Sequence, residues 1–252
     1  MQVLRAIGFM FVGLCIPTLQ AHADEASELD DAAARLHYAF YTADVRALEQ
    51  AIGLISQLQP PSNQPGLKEY YAAYGYWKLA QTSAEEAAAG RASSRSSVSK
   101  AAQACDRQAD LAVEKDRRMA EAYAIDAVCA SFGSALMSSS CAGKSLRTAK
   151  ELDPQNPRIL LIETLCAQKD AASPAAHTEK LRALVAAFEH APPTRPGKPD
   201  WGQAEALVML GENYLQRGDS LAARDAIERA LVIAPDYRKA QELLQTAAAR
   251  PK

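Results

Sequence analysis

The chain has 252 residues with 28 basic and 30 acidic side chains, a formal net charge of −2, and 48% hydrophobic but only 6% aromatic residues. That balance argues against nucleic acid or an anionic membrane surface as a general partner. Much of the apolar content is alanine, which favours closely packed helices, and no alternating run of Val, Ile and Thr appears, so no substantial sheet is expected.

The N-terminus, MQVLRAIGFMFVGLCIPTLQAHADEAS, places Arg5 before an apolar run from Ala6 to about Leu19, then Ala21-His22-Ala23. A basic start, an apolar stretch shorter than the roughly 20 residues of a membrane helix, and small residues at its end describe a secretory signal, residues 1–23, cleaved after Ala23. Pro17 and Gln20 interrupt the run and weigh against an uncleaved anchor. Leu14 weighs against a lipid-modified Cys15, where a small residue precedes the cysteine. Cleavage removes Arg5 alone among the charged residues, leaving residues 24–252 with a net charge near −3 and no transmembrane segment.

The remainder reads as helix pairs. Over 27–60, Val45, Leu48, Ile52 and Ile55 share one helical face and Pro60 is a stop. Over 67–117, GLKEYYAAYGYWKLAQ carries Tyr71, Tyr74 and Gly75, and AAQACDRQADLAVEKDRRM carries Cys105, Ala109 and Ala112. Between them, residues 82–99 are rich in Ala and Ser. They either extend a helix through Ser83-Ala84-Glu85-Glu86, a capping-box pattern, or form a mobile insertion. Further pairs are expected over 121–154, 157–192 and 203–237, with TRPGKPD, residues 194–200, as an irregular crossing and 238–249 as a closing helix.

The last pair carries the most informative spacing. Leu207, Leu210, Gly211 and Tyr214 line one helix, and Ala223, Ile227, Ala230 and Pro235 follow at fixed intervals. Gly211 and Ala223 remove bulk where two helices approach, Arg217-Gly218-Asp219 is a turn, and Pro235 ends the second helix. The pattern resembles the tetratricopeptide repeat, with Leu207 and Ile227 standing for the usual Trp and Phe. Weaker copies place Cys129, Ala130, Ala142, Leu146, Ala149 and Pro154 in one unit and Leu184, Ala187 and Pro192 in another.

The resemblance implies an all-α, right-handed superhelical solenoid of about five helix-turn-helix units with a C-terminal capping helix, residues 24–252 forming one domain; the alternative is a compact helical bundle. It further implies that first helices line a concave groove that receives a protein or peptide. By that correspondence Glu69, Ala72, Tyr76 and Leu79, then Arg158, Leu161, Leu165 and Lys169, then Glu205, Val208, Glu212 and Gln216 face the groove. Tyr70, Tyr76 and Trp77 are candidate binding anchors, although a core stripe also explains the aromatic cluster.

Four cysteines follow the leader, and an exported chain permits disulfides. In the repeat frame, Cys105 to Cys129 and Cys141 to Cys166 would each tie neighbouring units. A Cys129–Cys141 bridge within one hairpin and four free thiols are the alternatives.

Other motifs carry less. SSSCAGKSLRTAKELDP, residues 138–154, has a Gly-Lys-Ser triplet but neither the spaced first glycine nor the preceding strand of a phosphate loop. It reads instead as a helix with a serine N-cap at 138–140 and a buried Ala142 and Leu146. Ser97-Val98-Ser99-Lys100 matches a Ser-x-x-Lys dyad whose companion motifs are absent. His37, His177 and His190 lack partners at ligand spacing and are expected in surface or half-buried structural roles. The reading is therefore non-enzymatic, with no cofactor or metal: an exported scaffold of the periplasm or cell envelope that docks a protein or peptide, or an accessory subunit that builds a homo-oligomer or envelope complex. Intact-mass measurement of the exported chain is expected to show a polypeptide beginning at Asp24; a mass that retains residues 1–23 contradicts the cleaved leader.

Overall fold

The computed structural model describes residues 18–60, 63–90, 95–133, 143–167, 174–193 and 198–249. Every regular element among them is an α-helix. In chain order these are α1 (Thr18–Tyr41), α2 (Val45–Gln57), α3 (Leu67–Ala88), α4 (Arg95–Lys115), α5 (Ala120–Gly133), α6 (Lys144–Leu152), α7 (Pro157–Ala167), α8 (Pro174–His190), α9 (Gln203–Gln216), α10 (Ser220–Ile233) and α11 (Arg238–Ala249). Among the described residues, no helix is long and apolar enough to cross a membrane.

Local chemistry sets several helix ends. Asp44 precedes α2 and its carboxylate accepts from the Ala47 N–H at 3.0 Å, and Asp219 does the same for Ala222 ahead of α10 at 3.1 Å. Both satisfy a backbone donor that the helix itself cannot pair. Gly218, at φ 80°, makes the turn between α9 and α10 that a Cβ would strain. The Ala/Ser-rich stretch extends a helix: α3 runs through a buried Ser83 to Ala88, so Ser83 caps nothing, while residues 91–94 lie outside the described set. Helix α6 begins at Lys144 behind Gly143, later than a serine cap at 138–140 allows. Those serines, Cys141 and Ala142 lie outside the described residues. Glycine is a poor helix former, which explains a start after Gly143 rather than through it.

Most helices pack chiefly on a sequence neighbour, and α1, α3, α5 and α7 also touch in succession, as do α9 and α11. The odd-numbered helices from α1 to α7 thus share one layer. Close approach between packed helices depends on missing side chains. A Cβ at Gly75 in α3 would stand 2.6 Å from Leu36 Cδ1 of α1 and 2.7 Å from Ile52 Cγ1 of α2, and one at Gly211 in α9 would stand 2.6 Å from Ile227 Cγ1 of α10. In α2, Leu48, Ala51, Ile52 and Ile55 form the buried face, whereas Val45 is half-buried.

A disulfide joins Cys105 of α4 to Cys129 of α5, with their Cα atoms 5.5 Å apart. Its loop of 24 residues corresponds to about 3 kcal/mol in the chain-entropy account. This pairing removes Cys129–Cys141 from the alternatives. Cys166 is likewise disulfide-bonded.

Glycine substitutions separate packing from helix propensity. Gly75→Ala is expected to destabilise by about 1–3 kcal/mol through overpacking. Gly53→Ala, in α2 with nothing within 4 Å of its added Cβ, is expected to stabilise by about 1 kcal/mol. Urea denaturation of the two variants measures both signs.

Candidate functional site

The described residues that the repeat correspondence assigns to a groove lie on α3, α7 and α9, but most are enclosed. Glu69, Ala72, Leu79, Leu161, Glu205 and Val208 are buried; Tyr76, Arg158, Leu165 and Glu212 are half-buried; Gln216 is exposed. Lys169 lies outside the described residues. An open concave face at the enclosed positions is therefore corrected, and the covering material is the chain itself. The C-terminal end of α1 and the approach to α9 both turn onto this layer.

Trp201, just ahead of α9, is the centre of that cover. Its indole Nε1–H donates to the Tyr70 hydroxyl at 2.7 Å, and its ring lies 4.7 Å from Tyr74 and 5.6 Å from Trp77, centroid to centroid. Two candidate anchors, Tyr70 and Trp77, are thereby core residues; the third, Tyr76, faces a different cleft. Burial raises the phenol pKa values of Tyr70, Tyr71 and Tyr74 above the ordinary tyrosine range, so these hydroxyls stay protonated donors.

Beside the tryptophans sits a charge. Lys78 is 2% exposed, with its ammonium 3.9 Å from the Trp77 ring centroid, 4.1 Å from that of Phe40, and 3.5 Å from Glu205 Oε1. Burial lowers its pKa to about 8, against the opposing pull of Glu205. The other Glu205 oxygen accepts from the Tyr41 hydroxyl and from the Gly202 N–H, both at 3.1 Å. The ring faces supply the remaining stabilisation of the ammonium, since a cation over an aromatic ring is favoured most where water is excluded. Around this core, Tyr237 packs on Tyr41 at 4.8 Å, and Arg238 of α11 pairs with Glu86 of α3 at 2.7 Å.

A second polar group lies farther along the same layer. Arg158 of α7 donates to Glu121 of α5 at 3.3 Å and to the Pro199 carbonyl, while Asn156 donates to Glu121 at 2.8 Å. Lys115 donates to the buried Glu69 at 2.7 Å. Among the described residues, Tyr74 Oη, Arg158 Nε, Glu121 Oε2 and His37 Nε2 are enclosed without a hydrogen-bond partner.

An open cleft lies elsewhere. It has a volume of about 1000 Å³, with Tyr76, Leu79 and Ser83 of α3 as its floor and faces of α2 and α4 as its walls. Ile52 and Gly53 stand on one wall, Lys100 and Ala101 on the other. Ser97 also lines it, which places the Ser-x-x-Lys stretch at the cleft margin; the Lys100 side chain is exposed there.

The remaining sequence candidates stay apart. His37 is half-buried, His177 half-buried and His190 exposed. Among the described residues, no set of three or more His, Cys, Asp or Glu side chains is placed to hold a metal ion. Sequence reasoning missed Lys78, Trp201, Phe40 and Tyr41. The available signals were a lysine inside the apolar run YYAAYGYWKLA, and one of only two tryptophans placed at the end of an irregular crossing. No protein-family model matches the chain, and no curated protein is significantly similar to it.

Two measurements probe the buried charges. Lys78→Met alone, or Glu205→Gln alone, is expected to cost about 3 kcal/mol, because each removes one partner of an enclosed pair; the double variant is expected to cost less than their sum. Equilibrium unfolding of the four proteins gives the coupling. Burial also lowers the His37 pKa to about 4, with Glu205 and Asp200 opposing and Lys78 and Arg158 reinforcing the shift. Neutral His37 thus contributes stability that is complete above the unfolded value of about 6.5 and is lost as pH falls towards 4, by at most about 3 kcal/mol. A pH series of urea midpoints for the parent and His37→Gln is expected to lose that component in the variant.

Proposed function

We propose that the chain is an exported, tetratricopeptide-like scaffold that docks another protein or peptide in the periplasm or at the cell envelope. The observation that supports this most is the layering: α1, α3, α5 and α7 meet in succession, as do α9 and α11, while each even-numbered helix packs on its sequence neighbours, as stacked helix-turn-helix units would. The turn at Gly218 and Asp219 and the close approach at Gly211 are consistent with a repeat at the C-terminal end. A disulfide between α4 and α5 suits an oxidising compartment, and the leader-like N-terminus supports export.

In this reading the function is binding rather than catalysis, and the accessible site is the α2–α3–α4 cleft. Its walls present helical faces such as Arg46, Glu49 and Ile52 on α2 and Lys100, Ala101 and Ala104 on α4, over a floor that includes Tyr76. That surface of mixed polarity suits a peptide segment or helix of a partner protein.

A second reading, an accessory subunit that assembles an oligomer, is favoured by exposed apolar side chains on α10. Leu221 is 73% and Val232 83% exposed, with Ile233 adjacent. Such residues suit a subunit contact.

A photo-crosslinking amino acid in place of Tyr76 or Lys100 tests the first reading in intact cells. The expected result is one discrete protein adduct from the cleft positions and none from Leu111, an exposed residue outside the cleft lining. Self-adducts from Val232, with none from the cleft, would support the accessory-subunit reading instead.

A further inference from the structure

We propose that the cavity between the end of α1, the C-terminal part of α3 and the start of α11 is a binding site for a small alkylammonium compound. It is separate from the α2–α3–α4 cleft, and its occupancy is independent of what docks there.

The cavity has a volume of about 270 Å³ and an aromatic lining. Phe40 and Tyr41 end α1, and Tyr237 directly precedes α11. Their ring centroids lie 4.8 Å apart for Tyr41 and Tyr237, 5.6 Å for Phe40 and Tyr41, and 5.9 Å for Phe40 and Tyr237, each pair inclined at 46° to 50°. Contiguous, mutually inclined rings attract a cation through their quadrupoles, and quaternary ammonium ligands are recognised in this way. The chain already uses one of these rings so, with the Lys78 ammonium 4.1 Å from the Phe40 centroid. Lys78 does not line the cavity, and its charge is matched by Glu205 at 3.5 Å, so it does not fill the role of the ligand.

The charge around the rings has the sign that such a ligand needs. Arg238 and Lys239 line the cavity, but both are engaged: Arg238 pairs with Glu86 at 2.7 Å and Glu242 at 3.6 Å, and Lys239 pairs with Glu212 at 3.4 Å. Glu85 also lines it, and among the described residues its carboxylate meets the Gln81 amide at 3.3 Å and no cation within ion-pair distance. The charged lining residues and their ion-pair partners thus amount to four carboxylates against two cations. A cleft of that sign concentrates cations and repels anions.

Tyr237 supplies a polar contact. It is 5% exposed and lines the cavity, yet among the described residues its hydroxyl makes no hydrogen bond. Burial, reinforced by Glu205, Glu85 and Glu212, keeps the phenol protonated. A buried polar group ordinarily has a partner, and this one is available to a hydroxyl or an N–H group of the ligand. The volume falls just under the range of drug-sized pockets, which limits the ligand to a compact molecule.

Isothermal titration calorimetry of the full chain with choline, at fixed ionic strength, tests the site. Choline is expected to bind saturably, and its neutral tert-butyl analogue, with carbon in place of nitrogen, is expected to bind about ten-fold more weakly or worse. Tyr237→Leu is expected to weaken choline binding about ten-fold, through loss of a ring and a hydroxyl. Glu85→Gln is expected to weaken it about three-fold. That second substitution lies at an exposed position, so it keeps the test open if Tyr237→Leu fails to fold. Absence of saturable choline binding overturns the proposal. Equal affinity for choline and its neutral analogue, or a Glu85→Gln variant that binds choline as the parent does, overturns it as well.

Discussion

One buried ammonium governs the arrangement of the helices. Lys78 is withdrawn from water, and a charge in that position is tolerated only with a counter-charge and a polarisable surround. Glu205 provides the first, from a helix more than a hundred residues away in sequence, and Phe40 and Trp77 provide the second. Three elements are thereby committed to one another: α1 contributes a ring, α3 the charge, and α9 the carboxylate. A hydrophobic residue at 78 would make no comparable demand on where α9 sits, because apolar contact is non-directional.

Glu205 carries that commitment further. It also accepts from Tyr41 at the end of α1 and from Gly202 at the start of its own helix, so a single carboxylate fixes a corner, a helix start and an ion pair. The outer contacts Tyr41–Tyr237 and Glu86–Arg238 bring α11 into the same assembly. At the other end of the layer, Arg158 with Glu121 and Asn156, and the covalent tie between α4 and α5, hold the middle helices. The early and late helices are therefore joined directly as well as through the stack between them. The face that a repeat stack would offer to a ligand is consumed in joining them.

Much of the local order was legible in the sequence because its causes lie within a few residues. Asp44 and Asp219 cap helices, Gly218 makes a left-handed turn, and Gly211 allows close approach, each a matter of neighbours along the chain. The pairing of Cys105 with Cys129 could be read as one of three alternatives, because it follows from which helix packs on the next. The enclosed site was far less legible. Trp201 meets Tyr70 across 131 residues and Tyr41 meets Glu205 across 164, and neither contact leaves a periodic trace. Lys78 does not stand out in the sequence, because lysine is common at helical surface positions. Only the tertiary structure shows that the position is not on the surface. For Glu69, Leu79, Leu161 and Val208 the repeat spacing specifies which way a side chain points but not what comes to lie over it.

The chain contains two tryptophans, and their rings stand edge to face 5.6 Å apart, Trp77 on α3 and Trp201 before α9. All of the protein's indole absorbance and emission thus originates at the contact between the early and late helices. With a buried ammonium against one of those rings, the electronic environment of both chromophores is set by the same closure that sets the fold. The molecule carries a built-in optical gauge of its own assembly, reading that single junction and silent about every other.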